Sequence, residues 1–180
     1  MQMYKLFFQI LCVSVLLLTQ ASCGFRLRHT WPIPNELHVV YLQTNTPYSY
    51  LTLQFKKMLR SLNVRLVDNP ADASITMKLY NEEYSTTIVS DSASASTKEY
   101  QLNYQISYEL LNKSGEKIYG PQNVKAYRYL LISEDQVLSS TNESQVSQQE
   151  MQRDVLYQIL NQLSSKKVAE AIKSAAPQPS

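Results

Sequence analysis

"EYQLNYQISYELL", residues 99 to 111, alternates without a break. Tyr100, Leu102, Tyr104, Ile106, Tyr108 and Leu110 fall on one side of an extended chain; Glu99, Gln101, Asn103, Gln105, Ser107 and Glu109 fall on the other. Successive side chains of a strand point to opposite faces, so a period of two writes a β-strand with one buried face and one wet face. A sheet that is apolar on one side needs a second layer to cover it, and the flanking sequence has to supply that layer.

On the C-terminal side, "NKSGEK" closes a hairpin, with Gly115 available for a positive φ, and "KIYGPQNVKAYRYLLI" returns as the next strand. Pro121 places that strand at an edge or at a bulge, because proline cannot donate to a ladder. On the N-terminal side, "ASITMKLYNEEYSTTIVS" sets Ile75, Met77 and Leu79 on one side, and the small-residue tip "DSASAST" reverses the chain. These segments make three long antiparallel strands.

The covering layer comes from two stripes at helical spacing. "PYSYLTLQFKKMLRSL" places Leu51, Phe55, Met58, Leu59 and Leu62 on one face, with Lys56, Lys57 and Arg60 largely opposite; Asn63 ends it. It lies between "ELHVVYLQ" (36–43) and the short "VRLV", a strand, helix, strand order that predicts parallel pairing. Ser140 with Glu143 reads as a capping box that starts the second helix. Val146, Met151, Val155, Ile159 and Leu163 carry its stripe, and Val168 and Ile172 extend it. The architecture expected is an α+β two-layer sandwich, two helices on one face of a mixed sheet, with the other face open to water or to a partner.

The first residues have another task. Lys5 precedes an apolar run from Leu6 to Leu18, interrupted only by Gln9 and Ser14, which is the layout of a secretory signal and too short for a span. In "LLLTQASCGFRLR" (16–28) the small residues Ala21 and Ser22 stand directly before Cys23, an arrangement that resembles a bacterial lipobox, with Gln20 where leucine is usual. Two readings follow: Cys23 is cleaved to the first position and acylated, or it is a leftover thiol in a secreted chain. The register of run, small residues and cysteine favours the first. Acyl chains, at about 0.8 kcal/mol per buried CH₂, then replace the signal as the membrane attachment. The chain divides into a signal (1–22), a lipidated strap stiffened by Pro32 and Pro34 (23–35), the α+β domain (36–174) and a disordered tail (175–180). Trp31 in the strap is expected to pack on its own domain.

Composition narrows the function. Lysine and arginine number 17 against 15 aspartates and glutamates, and the only charge in the signal is Lys5, so nothing draws the chain to nucleic acid. His29 and His38 lack metal-ligand spacing, no GxSxG occurs, and Gly24, Gly115 and Gly120 cannot build a phosphate loop. Glu82-Glu83 and Glu134-Asp135 read as solvated pairs. We assign no catalytic residue, no metal ligand and no cofactor beyond the acyl chains on Cys23. Thirteen tyrosines stand out; a half-exposed sheet accommodates most of them, since the ring fills pleated surface while the hydroxyl stays wet. A sharper reading sets them beside Lys98, Lys113, Lys125 and Arg128 to meet a ligand with apolar and anionic parts.

Five segments in order, "CGFRLR", "PYSYLTLQFKKMLRSLNVRLV", "TKEYQLNYQISYELL", "IYGPQNVKAYRYL" and "QQEMQRDVLYQILNQL", resemble the lipopolysaccharide-assembly lipoprotein family LptE. The resemblance implies two helices packed on one face of a mixed four-stranded sheet, with no enzymatic activity. It implies attachment through Cys23 to the periplasmic face of the outer membrane, consistent with Gly24 rather than aspartate after the cysteine. It implies a β-barrel partner, LptD, which the domain plugs and helps to assemble, and delivery of lipopolysaccharide to the outer leaflet. The competing class is a periplasmic adaptor lipoprotein that binds another envelope protein without touching glycolipid. The family's basic lipopolysaccharide-contacting positions align with Ser92 and Ser140 here, so Lys98 and Arg128 are the nearest candidates for that contact.

Overall fold

The computed structural model describes residues 31–90, 97–133 and 137–175. The signal, Cys23, Ser92, the Glu134-Asp135 pair and the last five residues of the expected tail lie outside them.

A 3-10 turn at Asn35–His38 leads into β1 (Val39–Thr44), followed by α1 (Tyr50–Ser61), β2 (Arg65–Val67), a second 3-10 turn and β3 (Ile75–Ser90). Strands β4 (Thr97–Leu111) and β5 (Lys117–Ser133) come next, and then helices α2 (Val137–Leu163) and α3 (Lys166–Ala175). One sheet orders the strands β2-β1-β3-β4-β5. β1 pairs parallel with both β2 and β3, while β3, β4 and β5 form an antiparallel meander.

The sheet therefore has five strands and the covering layer three helices, where the family resemblance implied four and two; the strand beyond those four is the one read at "VRLV". The fifth strand is β2: three residues suffice for Arg65, Leu66 and Val67 to lie in register with Val39, Val40 and Tyr41. The third helix arises where the last apolar stripe turns. The Ser164 hydroxyl bonds back to the Leu160 carbonyl and the Ser165 hydroxyl accepts from the Val168 N–H, so one serine ends α2 while the next caps α3. Ala175, assigned to the tail, is the last residue of α3.

Helix α1 starts at Ser49, whose hydroxyl accepts from the Thr52 N–H at 3.2 Å, and stops where Asn63 takes φ 62°, a conformation that asparagine tolerates. β1 begins at residue 39 rather than 36, because Leu37 N–H bonds to the Pro34 carbonyl and winds the preceding residues into the 3-10 turn. α2 begins at Val137, so Ser140 lies inside the helix and is not its cap.

All three helices cover one face of the sheet. From β4, Leu102, Tyr104, Ile106, Tyr108 and Leu110 are buried there, as their alternation requires. Leu51, Phe55 and Leu59 of α1 meet them, with Met151, Val155 and Ile159 of α2 and Val168 and Ile172 of α3. Each such side chain contributes about 1.5–3 kcal/mol on leaving water. Val146, the first residue of the expected stripe, is exposed.

Trp31 rests on this layer, stacked on Tyr157 of α2 with ring centres 5.7 Å apart and its indole N–H donating to Asn161 Oδ1. β5 is both the edge strand and bulged: its register against β4 shifts between the Tyr108 and Leu110 positions, beside Gly120 and Pro121. Gly120 has φ +95°, and a Cβ there would sit 2.8 Å from the Tyr108 carbonyl oxygen, so the close approach of the two strands requires glycine.

Candidate functional site

Functional side chains fall on three surfaces, each set by strand parity. The first is the helix-covered face toward the far ends of the long strands. β3, β4 and β5 run about 50 Å, farther than α1 at about 18 Å can cover. Tyr84 and Ile88 point to the helix side, being paired across from Tyr104 and Tyr100, yet they are exposed. Lys98, half-buried and paired in register with Ile132, shares this face by parity with Tyr100. Lys98 thus lies among apolar side chains at the far end of the sheet.

Arg128 also faces the helices, opposite Leu102, about 13 Å along the strand from Lys98. Its guanidinium pairs with Asp154 of α2 and lies 3.9 Å from Glu150, one turn earlier. The two predicted cations therefore share a face but not a site. Lys98 has no ion pair among the described residues, whereas Arg128 clamps the edge strand to α2.

The second surface is a polar seam between sheet and helices. β3 carries one extra residue between Tyr80 and Glu83, with Asn81 at φ 52°. This bulge turns Glu82 toward the helices while Glu83 stays on the outer face. Glu82 accepts from the Tyr104 hydroxyl at 2.6 Å, from Thr46 of the β1–α1 loop at 3.2 Å and from Gln152 of α2 at 3.4 Å. Burial first, and then the hydrogen bond to Glu82, hold the Tyr104 phenol far above its ordinary range. Tyr108 is likewise raised by burial and by Tyr119, and it donates to Gln162 at 2.7 Å. Both phenols are neutral structural donors.

The pair Glu82-Glu83, read from sequence as solvated, is thus split between faces. A signal was present: Ile75, Met77 and Leu79 hold odd positions of β3, whereas Tyr84 and Ile88 hold even ones. Such a change of parity marks an inserted residue. Gln152 and Asp154, polar residues on the covering helix, were missed as partners because only the tertiary register brings them to Glu82 and Arg128.

The third surface is the outer face of the sheet. Tyr127 and Tyr129 of β5 stand on it, exposed, with ring centres 5.8 Å apart in an edge-on arrangement. Among the described residues no cluster of three or more His, Cys, Asp or Glu is arranged to hold a metal, and no helix is long and apolar enough to cross a membrane.

These features define a two-layer α+β domain whose helix-free sheet face is polar and aromatic. Comparison with known proteins places it further: residues 37–163 match the LptE family, described as lipopolysaccharide-assembly, and the chain belongs to that family. The LPS-assembly lipoprotein LptE of Yersinia enterocolitica is 30% identical over 167 residues, which cover 92% of this chain and 79% of the relative. The LPS-assembly lipoprotein LptE of Pectobacterium atrosepticum is 27% identical over 172 residues, 95% of this chain and 91% of the relative. Among solved structures, a lipoprotein B from Nitrosomonas europaea has the same fold, with TM-score 0.67 and 21% identity over 84% of this chain and 97% of that one. A minor lipoprotein from Acinetobacter baumannii gives TM-score 0.61 and 19% identity over 71% and 91%.

Proposed function

We propose that this chain is an outer-membrane lipoprotein, acylated at Cys23 on the periplasmic face, that pairs with an LptD-like β-barrel. It plugs the barrel, assists its assembly and takes part in delivering lipopolysaccharide to the outer leaflet. The observation that carries the reading is the family match from residue 37 to residue 163, which spans all five strands and the two longer helices.

The surfaces support it. A wide barrel encloses an aqueous lumen, and a domain with a polar, tyrosine-bearing face fills such a space without partitioning into lipid. An acyl anchor confines the search for the barrel to the membrane plane. Lys98, with Tyr100, Tyr84 and Ile88 on the same face, combines a cation with apolar groups, the chemistry that a phosphorylated glycolipid calls for. Arg128 acts here through its clamp on α2.

Extraction of the lipoprotein in mild detergent tests the reading. A stoichiometric, very large β-barrel partner is expected, and depletion of the chain is expected to leave that barrel misassembled. Capture of a different envelope protein with normal barrel assembly would point to the adaptor class instead. For the contact residue, lipopolysaccharide binding by Lys98→Ala decides: unchanged affinity removes Lys98.

A further inference from the structure

We propose that the outer face of β3, β4 and β5 is a saccharide-binding platform, and that it takes the sugar portion of the glycolipid. This rests on the reading above for the source of the sugar, though not for its chemistry.

The register lays the face out in rows across three strands. Glu83, Gln105 and Lys125 form one row, and Ser85, Asn103 and Tyr127 the next. Gln101 and Tyr129 continue it. The central column is therefore three side-chain amides, and the edge column carries two tyrosine rings, 60% and 55% exposed. A hollow of about 250 Å³ lies between the first two rows, lined also by Tyr104 and Ala126. It is smaller than a drug-sized pocket and suits a single ring.

The chemistry of the rows selects the ligand. No aliphatic side chain stands in these three rows; Leu131, exposed on the same face in the row beyond Tyr129, is a single aliphatic group at their end, too little surface for an acyl chain or an apolar helix. One lysine is balanced by one glutamate, which argues against a polyanion such as nucleic acid. What remains is a dense set of planar donors and acceptors beside exposed aromatic faces. Sugar hydroxyls both donate and accept, as amides do, and the C–H face of a pyranose is electropositive enough to lie on the negative face of a ring.

The amides are held in advance. Gln101 donates to Asn103 Oδ1 at 2.7 Å, and Gln105 donates to Glu83 Oε2 at 2.6 Å. Each amide keeps further hydrogen-bonding capacity for a ligand. The Lys125 ammonium and the Ser85 hydroxyl have no partner among the described residues. Fixing side chains before binding lowers the entropy lost on complex formation.

The test uses the full-length lipoprotein in detergent, titrated with acyl-free oligosaccharide released from lipopolysaccharide by mild acid. The side-chain amide resonances of Asn103 and Gln105 are expected to move. Tyr127→Ala is expected to weaken binding about tenfold, the size of one lost aromatic contact, while Leu53→Ala on exposed α1 leaves it unchanged. Chitotriose, an unrelated glycan, is expected not to compete; binding of chitotriose alone would overturn the assignment to the glycolipid sugar. Amide signals that stay fixed at millimolar oligosaccharide, in a preparation that still captures the barrel, overturn the platform and leave the proposed function standing. Loss of the barrel by Tyr127→Ala, with the oligosaccharide inert, overturns it in favour of a protein-docking face. Sugar binding by a chain that captures no barrel supports the platform and removes the reading beneath it.

Discussion

The Tyr104 hydroxyl, at the centre of the sheet, donates a 2.6 Å hydrogen bond to Glu82, a residue that only a β-bulge brings to the same side of the sheet. Through Thr46 and Gln152 the same carboxylate reaches the β1–α1 loop and helix α2. Tyr104→Phe removes the donor and leaves the carboxylate short of one partner. Because the bond is charge-assisted, about 1.5–3 kcal/mol should be lost. In a domain of this size that lowers Tm by roughly 3–10 °C, read by thermal unfolding followed by circular dichroism.

The two buried phenols set an alkaline limit. Both are raised in the folded state, while in the unfolded chain they return to about 10. Below pH 10 both states hold the proton and the stabilisation is fully present. Above it the unfolded state releases protons that the folded state keeps, so stability falls as pH rises. The slope is about 1.4 kcal/mol per pH unit for each phenol. Denaturant titrations from pH 9 to 11 should show this fall, and the double variant Tyr104→Phe/Tyr108→Phe should flatten it.

Arg128 and Asp154 form a clamp that can be measured apart from any ligand. Both side chains are partly exposed, so the pair is worth about 1 kcal/mol at low salt and less at high salt. A double-mutant cycle with Arg128→Ala and Asp154→Ala should return that coupling. A coupling of zero would remove the structural role of the pair; as a lipopolysaccharide contact Arg128 is tested, like Lys98, by the affinity of its alanine variant.

Much of this fold is legible in the sequence because alternation and helical spacing report burial directly. Tyr104, Tyr108 and Leu110 on β4, and Leu51, Phe55 and Leu59 on α1, are buried where their spacing places them. β2, read at "VRLV" from the strand, helix, strand order, forms with the parallel pairing that order predicts, although three residues hold little pattern of their own. Ser164 and Ser165 look like two polar residues in a longer stripe until their hydroxyls are seen ending one helix and capping the next. The outer-face rows were half legible: Gln101, Asn103 and Gln105 were evident as a wet face, but which β5 side chains stand beside them depends on the register across the Gly120 bulge.

That bulge supports the last prediction. Gly120 and Gly115 both have positive φ, +95° and +79°, but only Gly120 is crowded: nothing lies within 4 Å of a Cβ built on Gly115. Gly115→Ala should therefore cost only the left-handed backbone penalty, about 1–2 kcal/mol. Gly120→Ala adds a backbone clash with Tyr108 that no side-chain rotation relieves, raising the cost to about 3 kcal/mol or more. The clash also pushes β5 away from β4 on the side that carries Tyr127 and Tyr129. Urea unfolding separates the two costs, and amide exchange along β5 shows where the damage goes. Faster exchange reaching Lys125–Tyr129 in Gly120→Ala but not in Gly115→Ala would show that the bulge sets the register of the exposed tyrosines; equal exchange in both would show that β5 holds its register without it.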